Sequence, residues 1–356
     1  MDDETREMLH QAVAEVFADE PSDLWGSLQS VGMDRALVPE NNGGIGVDWA
    51  VACDFLQIAG SNAAAVPIAE AMIGHWLIDL AGAEETDQPT IAFPSVAAPV
   101  RLSRSGDSWR VDGTLTRVPW GGTSTHIVFV SDTPTAQLVV VDRQDSGVSV
   151  TSGLNIAGDP RDEIRLENVV PAQVVPAPFE SKSLLLIAAI ARSALMAGAL
   201  ERALSLSVEY ANMRVQFGRP IGKFQAVQQN VSVLATQVAA ARAATEGAGE
   251  AIDAWLAGEG EPLLRSIAAL SAKIRTGEAA GAGSAIAHQV FGAIGFTEEH
   301  QLRLFTKRLW SWRDEFGNES FWADELGREI LGEDLDTTLW RTVAPLDAGL
   351  SKGESK

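Results

Sequence analysis

The chain has a single cysteine among 356 residues, Cys53. One thiol excludes an intrachain disulfide and any metal site built on paired thiolates. It suits a reducing compartment, and a cytoplasmic location is expected. No Lys/Arg-rich run is present: 27 basic residues stand against 48 acidic ones, for a net charge of −21. So acidic a surface repels polyanions, so neither nucleic acid nor an anionic membrane is expected as a partner. An anionic ligand needs a local basic site instead. The first ten residues, MDDETREMLH, are acidic and have no apolar core, so no signal peptide is expected there. G-x-G-x-x-G after a strand, G-x-x-x-x-G-K-[ST], H-E-x-x-H and G-x-S-x-G are all missing, which speaks against a Rossmann dinucleotide site, a P-loop, a zinc protease and a serine-hydrolase elbow. The five histidines (His10, His75, His126, His288 and His300) show no ligand spacing, and no metal is expected.

What is present reads as three zones of an α+β multidomain chain, since 356 residues exceed one simple core. Residues 1–88 read as an N-terminal helical domain: Leu9, Val13, Val16 and Phe17 recur at helical spacing, and Asn42, Gly43, Gly44 and Gly46 mark a loop. Residues 89–178 read as a small antiparallel β domain. HIVFV and AQLVVVD are β-branched apolar runs, and Asp112-Gly113 inside SWRVDGTLTRV signals a hairpin turn. Residues 179–345 read as a four-helix-bundle-like domain, with Phe224, Val227, Val231, Leu234 and Val238 forming one stripe. Residues 346–356 read as a tail. The most apolar stretch, LLLIAAIARSALMAGAL at 184–200, contains Arg192 and is short for a membrane span, so it reads as a buried helix.

The most informative segment is YANMRVQFGRPIGKFQAVQQ, residues 210–229. A helix ends near Arg214, Gly218, Pro220 and Gly222 form a break, and a second helix opens. Arg214 can grip a phosphate bidentately, Gln216 and Gln225 carry amides, and Phe217 has an apolar face. Read from the residues alone, this is either a phosphate-and-ring site or an arginine completing a helix end beside a turn.

The segment resembles the R-x-x-F-G-x-x-I-x-x-F-Q signature of the flavin-dependent acyl-CoA dehydrogenases. Further stretches are similar to that family in the same order: LWGSLQSVGMDRALVPENNGGIG (24–46), WRVDGTLTRV (109–118), DEIRLENVVPAQVV (162–175) and HQVFGAIGFTEEHQLRLF (288–305). The resemblance covers about 24–320 and implies the acyl-CoA dehydrogenase fold. It also implies α,β-dehydrogenation of an acyl-CoA, FAD as cofactor, and a role in lipid metabolism and β-oxidation. It implies a homo- or hetero-oligomer (a dimer or tetramer, mixed α2β2 assemblies included) and an electron-transfer flavoprotein as electron acceptor. By the same resemblance Arg214, Gln216, Phe217 and Gln225 contact the FAD of a neighbouring subunit, and Gln289 and Gly292 lie along its adenine side.

The chain departs from the family in two features, its β domain and its catalytic base. The T-E-P-x-x-G-S-D loop is replaced by IAFPSVAAPVRLSRSG (91–106), and only VPWGG (118–122), with Trp120, stands in for the tryptophan stretch at the flavin ring. Counting from GFTEEH puts Phe316 on the family's glutamate and Gly317 on its glycine, with Glu315 one residue early. The family's other base position falls near Ala188, where there is no acid; Glu180 is the nearest one upstream. Three readings stay open: a complete dehydrogenase using Glu315 as base, a base-lacking subunit that completes the FAD site of a catalytic partner, and a non-catalytic acyl-CoA-binding protein.

Overall fold

A computed structural model of the chain describes residues 3–332 except 20, 95–98, 107, 133 and 134. The tail at 346–356 and the end of the third zone lie outside the described residues.

The first zone holds α1 (Asp3–Ala18), α2 (Leu24–Ser30), α3 (Trp49–Ser61) and α4 (Ile68–Leu80). The starts of α2 and α3 have a local cause. The Asp23 carboxylate accepts from Gly26 N at 2.9 Å, and that of Asp48 accepts from Val51 N at 2.9 Å. The next two free amides of α3, Trp49 N and Ala50 N, donate to Asp253 on a distant helix, which fixes α3 to the third zone.

The second zone holds β1 (Pro89–Ile91), β2 (Arg101–Ser105), β3 (Ser108–Pro119), β4 (His126–Ser131), β5 (Gln137–Asp142), β6 (Val148–Thr151), β7 (Arg161–Val169) and β8 (Gln173–Pro176). They form two four-stranded sheets, ordered β1-β4-β5-β8 and β2-β3-β7-β6. The pairing is antiparallel except between β1 and β4, which run parallel. The apolar runs in β4 and β5 are unbroken because the first sheet is buried on both faces. Ile127, Phe129, Val139 and Val141 point to the second sheet, while Val128, Val130, Leu138 and Val140 point to the helical core.

The expected hairpin turn at Asp112-Gly113 is not there. Both residues lie inside β3, and the turn falls between paired Ser105 and Ser108. The register of β3 against β7 shifts between Val111 and Gly113. Asp112 accepts from Asn168 N at 2.7 Å, so the dipeptide serves a strand irregularity instead of a chain reversal.

The third zone holds α5 (Ser181–Met213), the short pair β9 (Val215–Gln216) and β10 (Arg219–Pro220), α6 (Gln225–Leu256), α7 (Ile267–Phe291), α8 (Leu302–Asp314) and α9 (Glu319–Gly332). α5 is the central helix, packed by α3, α6, α7 and α8. It is long and apolar enough to cross a membrane, but 94% of its most apolar window is buried inside the protein. Its contact with α3 is close enough to demand glycine on both sides. A Cβ on Gly198 would sit 1.9 Å from Gln57 O, and one on Gly60 would sit 2.0 Å from Leu195 O.

Candidate functional site

The three zones meet at a buried cluster of charge. α4 contributes Glu70, α5 Arg192, β7 Arg161, and the turn after α8 Glu315, all buried. Arg161 Nε donates to Glu315 Oε1 at 2.8 Å and Arg161 Nη2 to Glu315 Oε2 at 3.0 Å, a bidentate fork. Arg192 Nη2 donates to Glu70. Arg192 Nε lies 3.0 Å from Glu315 Oε2; this is an ion pair by distance, without hydrogen-bond alignment. Asn155 adds a longer bond to Glu315 at 3.4 Å. Two guanidiniums and two carboxylates balance, as buried charge requires.

Burial alone would push the Glu315 carboxyl up; Arg192 and Arg161 outweigh it and hold the group below the usual carboxylate range. Burial makes Arg192 harder to charge, but Glu70 and Glu315 reverse that, and its pKa is raised. Lys273 on α7 lies beneath the cluster, fully buried. Its Nζ donates to Trp312 O at 2.8 Å and Glu315 O at 2.5 Å, closing the end of α8. Burial pulls its pKa down to about 7. Aromatic faces complete the packing: the Arg161 guanidinium is 4.9 Å from the Trp120 ring, and that of Arg192 is 5.2 Å from the Phe316 ring.

In the segment WRDEFGNE (312–319), Trp312 and Glu315 are buried while Asp314 is exposed. Glu315 is 5% exposed. Phe316 takes φ +57° and packs against Phe93 at 5.3 Å between ring centroids. Gly317 follows at φ +85°, where a Cβ would strike the Phe321 ring at 2.6 Å. Arg313 Nε donates to both Glu319 oxygens at 2.9 Å. Ala188 is buried in α5, and Glu180 is exposed at its start, away from the cluster. Beside the cluster is a cavity of about 150 Å³ walled by β1, β3, α5 and the turn after α8; Asp314 and Glu315 are its acids.

The remaining residues implied by the resemblance lie at the other end of α5. Arg214 N donates to Tyr210 O at 2.9 Å and ends the helix. Val215–Pro220 and Gln216–Arg219 pair across a tight turn, with Phe217 at φ +49° and Gly218 at φ +79°. Phe217 is 91% exposed. The Arg214 side chain is exposed and has no partner among the described residues, and Gln216 is exposed as well. Gln225 is the first residue of α6, also exposed, where free helix amides favour an anion. Gln289 and Gly292 are exposed at the end of α7. Tyr210 and Phe291 stack at 4.4 Å and join the ends of α5 and α7, so these expected residues share one end of the bundle. From Arg192 to Arg214 the helix advances about 33 Å at 1.5 Å per residue. The exposed donors and the buried cluster are therefore two separate places.

Glu70, Arg161, Arg192 and Lys273 were not expected from sequence as a group. One signal was available: an arginine in an apolar run must find a carboxylate once that run is buried.

Comparison with known proteins was consistent with this architecture. Residues 181–317 match the model for the acyl-CoA dehydrogenase C-terminal domain. Acyl-CoA dehydrogenase FadE27 of Mycobacterium tuberculosis is 27% identical over 332 residues, covering 86% of this chain and 88% of the relative. Acyl-CoA dehydrogenase IpdE2 of the same organism is 28% identical over 328 residues, covering 86% and 91%. Among solved structures, the Tcur3481-Tcur3483 steroid ACAD G363A variant superposes with TM-score 0.83 at 24% identity, covering 92% of this chain and 98% of that one. The ChsE4-ChsE5 complex from Mycobacterium tuberculosis superposes with TM-score 0.81 at 22% identity, covering 94% and 99%. With helices, paired sheets and helical bundle in the same order, the chain has the acyl-CoA dehydrogenase fold, and its residues 181–317 form an acyl-CoA dehydrogenase C-terminal domain.

Proposed function

We propose that this chain is the base-lacking subunit of a flavin-dependent acyl-CoA dehydrogenase. In this reading it completes the FAD site of a catalytic partner and removes no proton itself. One observation carries the proposal: both oxygens of Glu315, the acid nearest the family's base position, are engaged by Arg161 and Arg192 in the interior. A general base must reach its proton and gain from accepting it. A carboxylate held by two guanidiniums, with its pKa lowered, meets neither condition. The expectation of Glu315 as catalytic base is therefore set aside in favour of a structural role. Asp314 is exposed at the cavity mouth.

FAD fits the two parts of the chain differently. A cavity of about 150 Å³ is below the several hundred cubic ångströms of cofactor pockets. The exposed end of the bundle has a donor set suited to a diphosphate nucleotide: the Arg214 fork, the Gln216 and Gln225 amides and the start of α6. Phe217 offers an uncovered ring face, and Gln289 and Gly292 add a polar edge beside it. On this reading these residues hold the pyrophosphate and adenosine portions of FAD bound in the partner. Held there, FAD would supply the hydride-accepting chemistry of an acyl-CoA dehydrogenation. The partner supplies the base, and this chain contributes position, charge and exclusion of water. The relatives support a subunit role, since both solved neighbours cited are named as two-component assemblies. Electrons then leave to an electron-transfer flavoprotein.

The test is the absorption spectrum of the chain purified alone and titrated with FAD. It is expected to stay colourless after gel filtration and to show no turnover of acyl-CoA. Retained flavin with turnover by the chain alone would overturn the proposal.

A further inference from the structure

The cavity beside the ion cluster is not filled by the chain's own side chains, and its mouth has an unusual arginine. Its apolar walls come from Ile91, Phe93, Val118, Leu185 and Phe316. At about 150 Å³ it is the size of an apolar cavity that admits one benzene-sized molecule of roughly six carbons. Arg117 lines it from β3, where the register against β7 shifts between Leu115 and Val118. The irregularity puts Arg117 at φ +57°, in the left-handed region that disfavours an arginine. The same shift takes it out of the strand's in-and-out alternation and onto the cavity. Its guanidinium has no partner among the described residues. Arg161, deeper in the wall, is already saturated by Glu315 and Pro160 O.

We propose that this cavity is a binding site for a short apolar carboxylic acid. The hydrocarbon end packs against the joined Phe93 and Phe316 rings, and the carboxylate meets the Arg117 fork. Asp314, also at the mouth, bars a second negative charge and sets the limit to monocarboxylates. A CoA thioester is not the ligand, because it has no carboxylate at the end of a short chain for Arg117 to grip. The inference rests on the reading that this chain's own site holds no flavin.

Isothermal titration of the full-length chain with hexanoate tests it, with hexylamine and adipate as comparison ligands. Hexanoate is expected to bind at one site per chain, with adipate and hexylamine at least tenfold weaker. Arg117→Gln, an exposed position, is expected to weaken hexanoate at least tenfold, and Leu185→Phe to abolish binding by filling the cavity. Circular dichroism verifies that each variant is folded. No heat with hexanoate on the folded chain, equal affinity for hexylamine, or an unchanged Arg117→Gln variant would each overturn the proposal. A parallel titration with FAD separates the two ideas. Flavin retained in this chain with turnover of acyl-CoA overturns the base-lacking reading and this one together; flavin retained without turnover, or absence of both flavin and hexanoate, overturns this one alone.

Discussion

Arg161 holds both oxygens of Glu315, at 2.8 and 3.0 Å, across the junction of the β domain and the helical bundle. The pair joins β7 to the end of α8, and Arg192 with Glu70 extends it to α5 and α4. The carboxylate nearest the family's catalytic position is thus part of what holds the three zones together.

Glu315→Gln is expected to destabilise the folded chain by about 3–5 kcal/mol, because it leaves buried guanidiniums short of a carboxylate. The sign of the pH dependence follows from a lowered folded pKa. The contribution is present above the unfolded value of about 4.5 and is lost as pH falls through the lower folded value. Urea unfolding of wild type and variant at pH 7 and at pH 3 should therefore show a gap that narrows on acidification. A pH-independent gap would place the stabilisation elsewhere.

Lys273 makes the opposite prediction. Its pKa falls from 10.5 to about 7 on burial, so the fold disfavours the charged amine. The penalty is complete below pH 7 and shrinks as pH rises from 7 towards 10.5. Compared with Lys273→Met, which cannot titrate, wild type should gain relative stability over that window in paired thermal melts. A constant difference between the two would show that Lys273 keeps its ordinary pKa.

Arg214→Gln should leave the stability of the chain within about 0.5 kcal/mol of wild type, since the side chain is exposed and unpartnered. In the assembled enzyme the same change should weaken FAD retention about tenfold, as expected for one lost charge-assisted contact. Flavin fluorescence released on dilution measures this. Full retention would count against the contact.

Gly198→Ala should cost about 3 kcal/mol or more, because the new Cβ meets Gln57 O at 1.9 Å and drives α3 from α5. Denaturant midpoints provide the measurement. A loss under about 1 kcal/mol would mean that the helix pair can separate freely.

Much of the fold could be read in the sequence because its signals are local. Helical spacing around Val13 and Leu234, apolar β runs at 127–130 and 138–141 and the glycine break after Arg214 each report a short stretch of chain. The Asp112-Gly113 reading failed because the dipeptide's shape was local evidence while its use depended on a long-range partner, Asn168. The ion cluster was hidden for the same reason. Arg161 and Glu315 are 154 positions apart, and nothing in either neighbourhood names the other. Arg192 came nearest to revealing it, as a lone charge in the most apolar helix. The exposed end of the bundle was legible because Arg214 to Gln225 is one continuous segment.

The most direct measurement of the central claim is the flavin stoichiometry of the assembled enzyme, from flavin absorbance against the total concentration of each chain. The account predicts one FAD for each pair of this chain with its catalytic partner, and none on this chain alone. Two FAD per pair, one of them in this chain's own site, would contradict it.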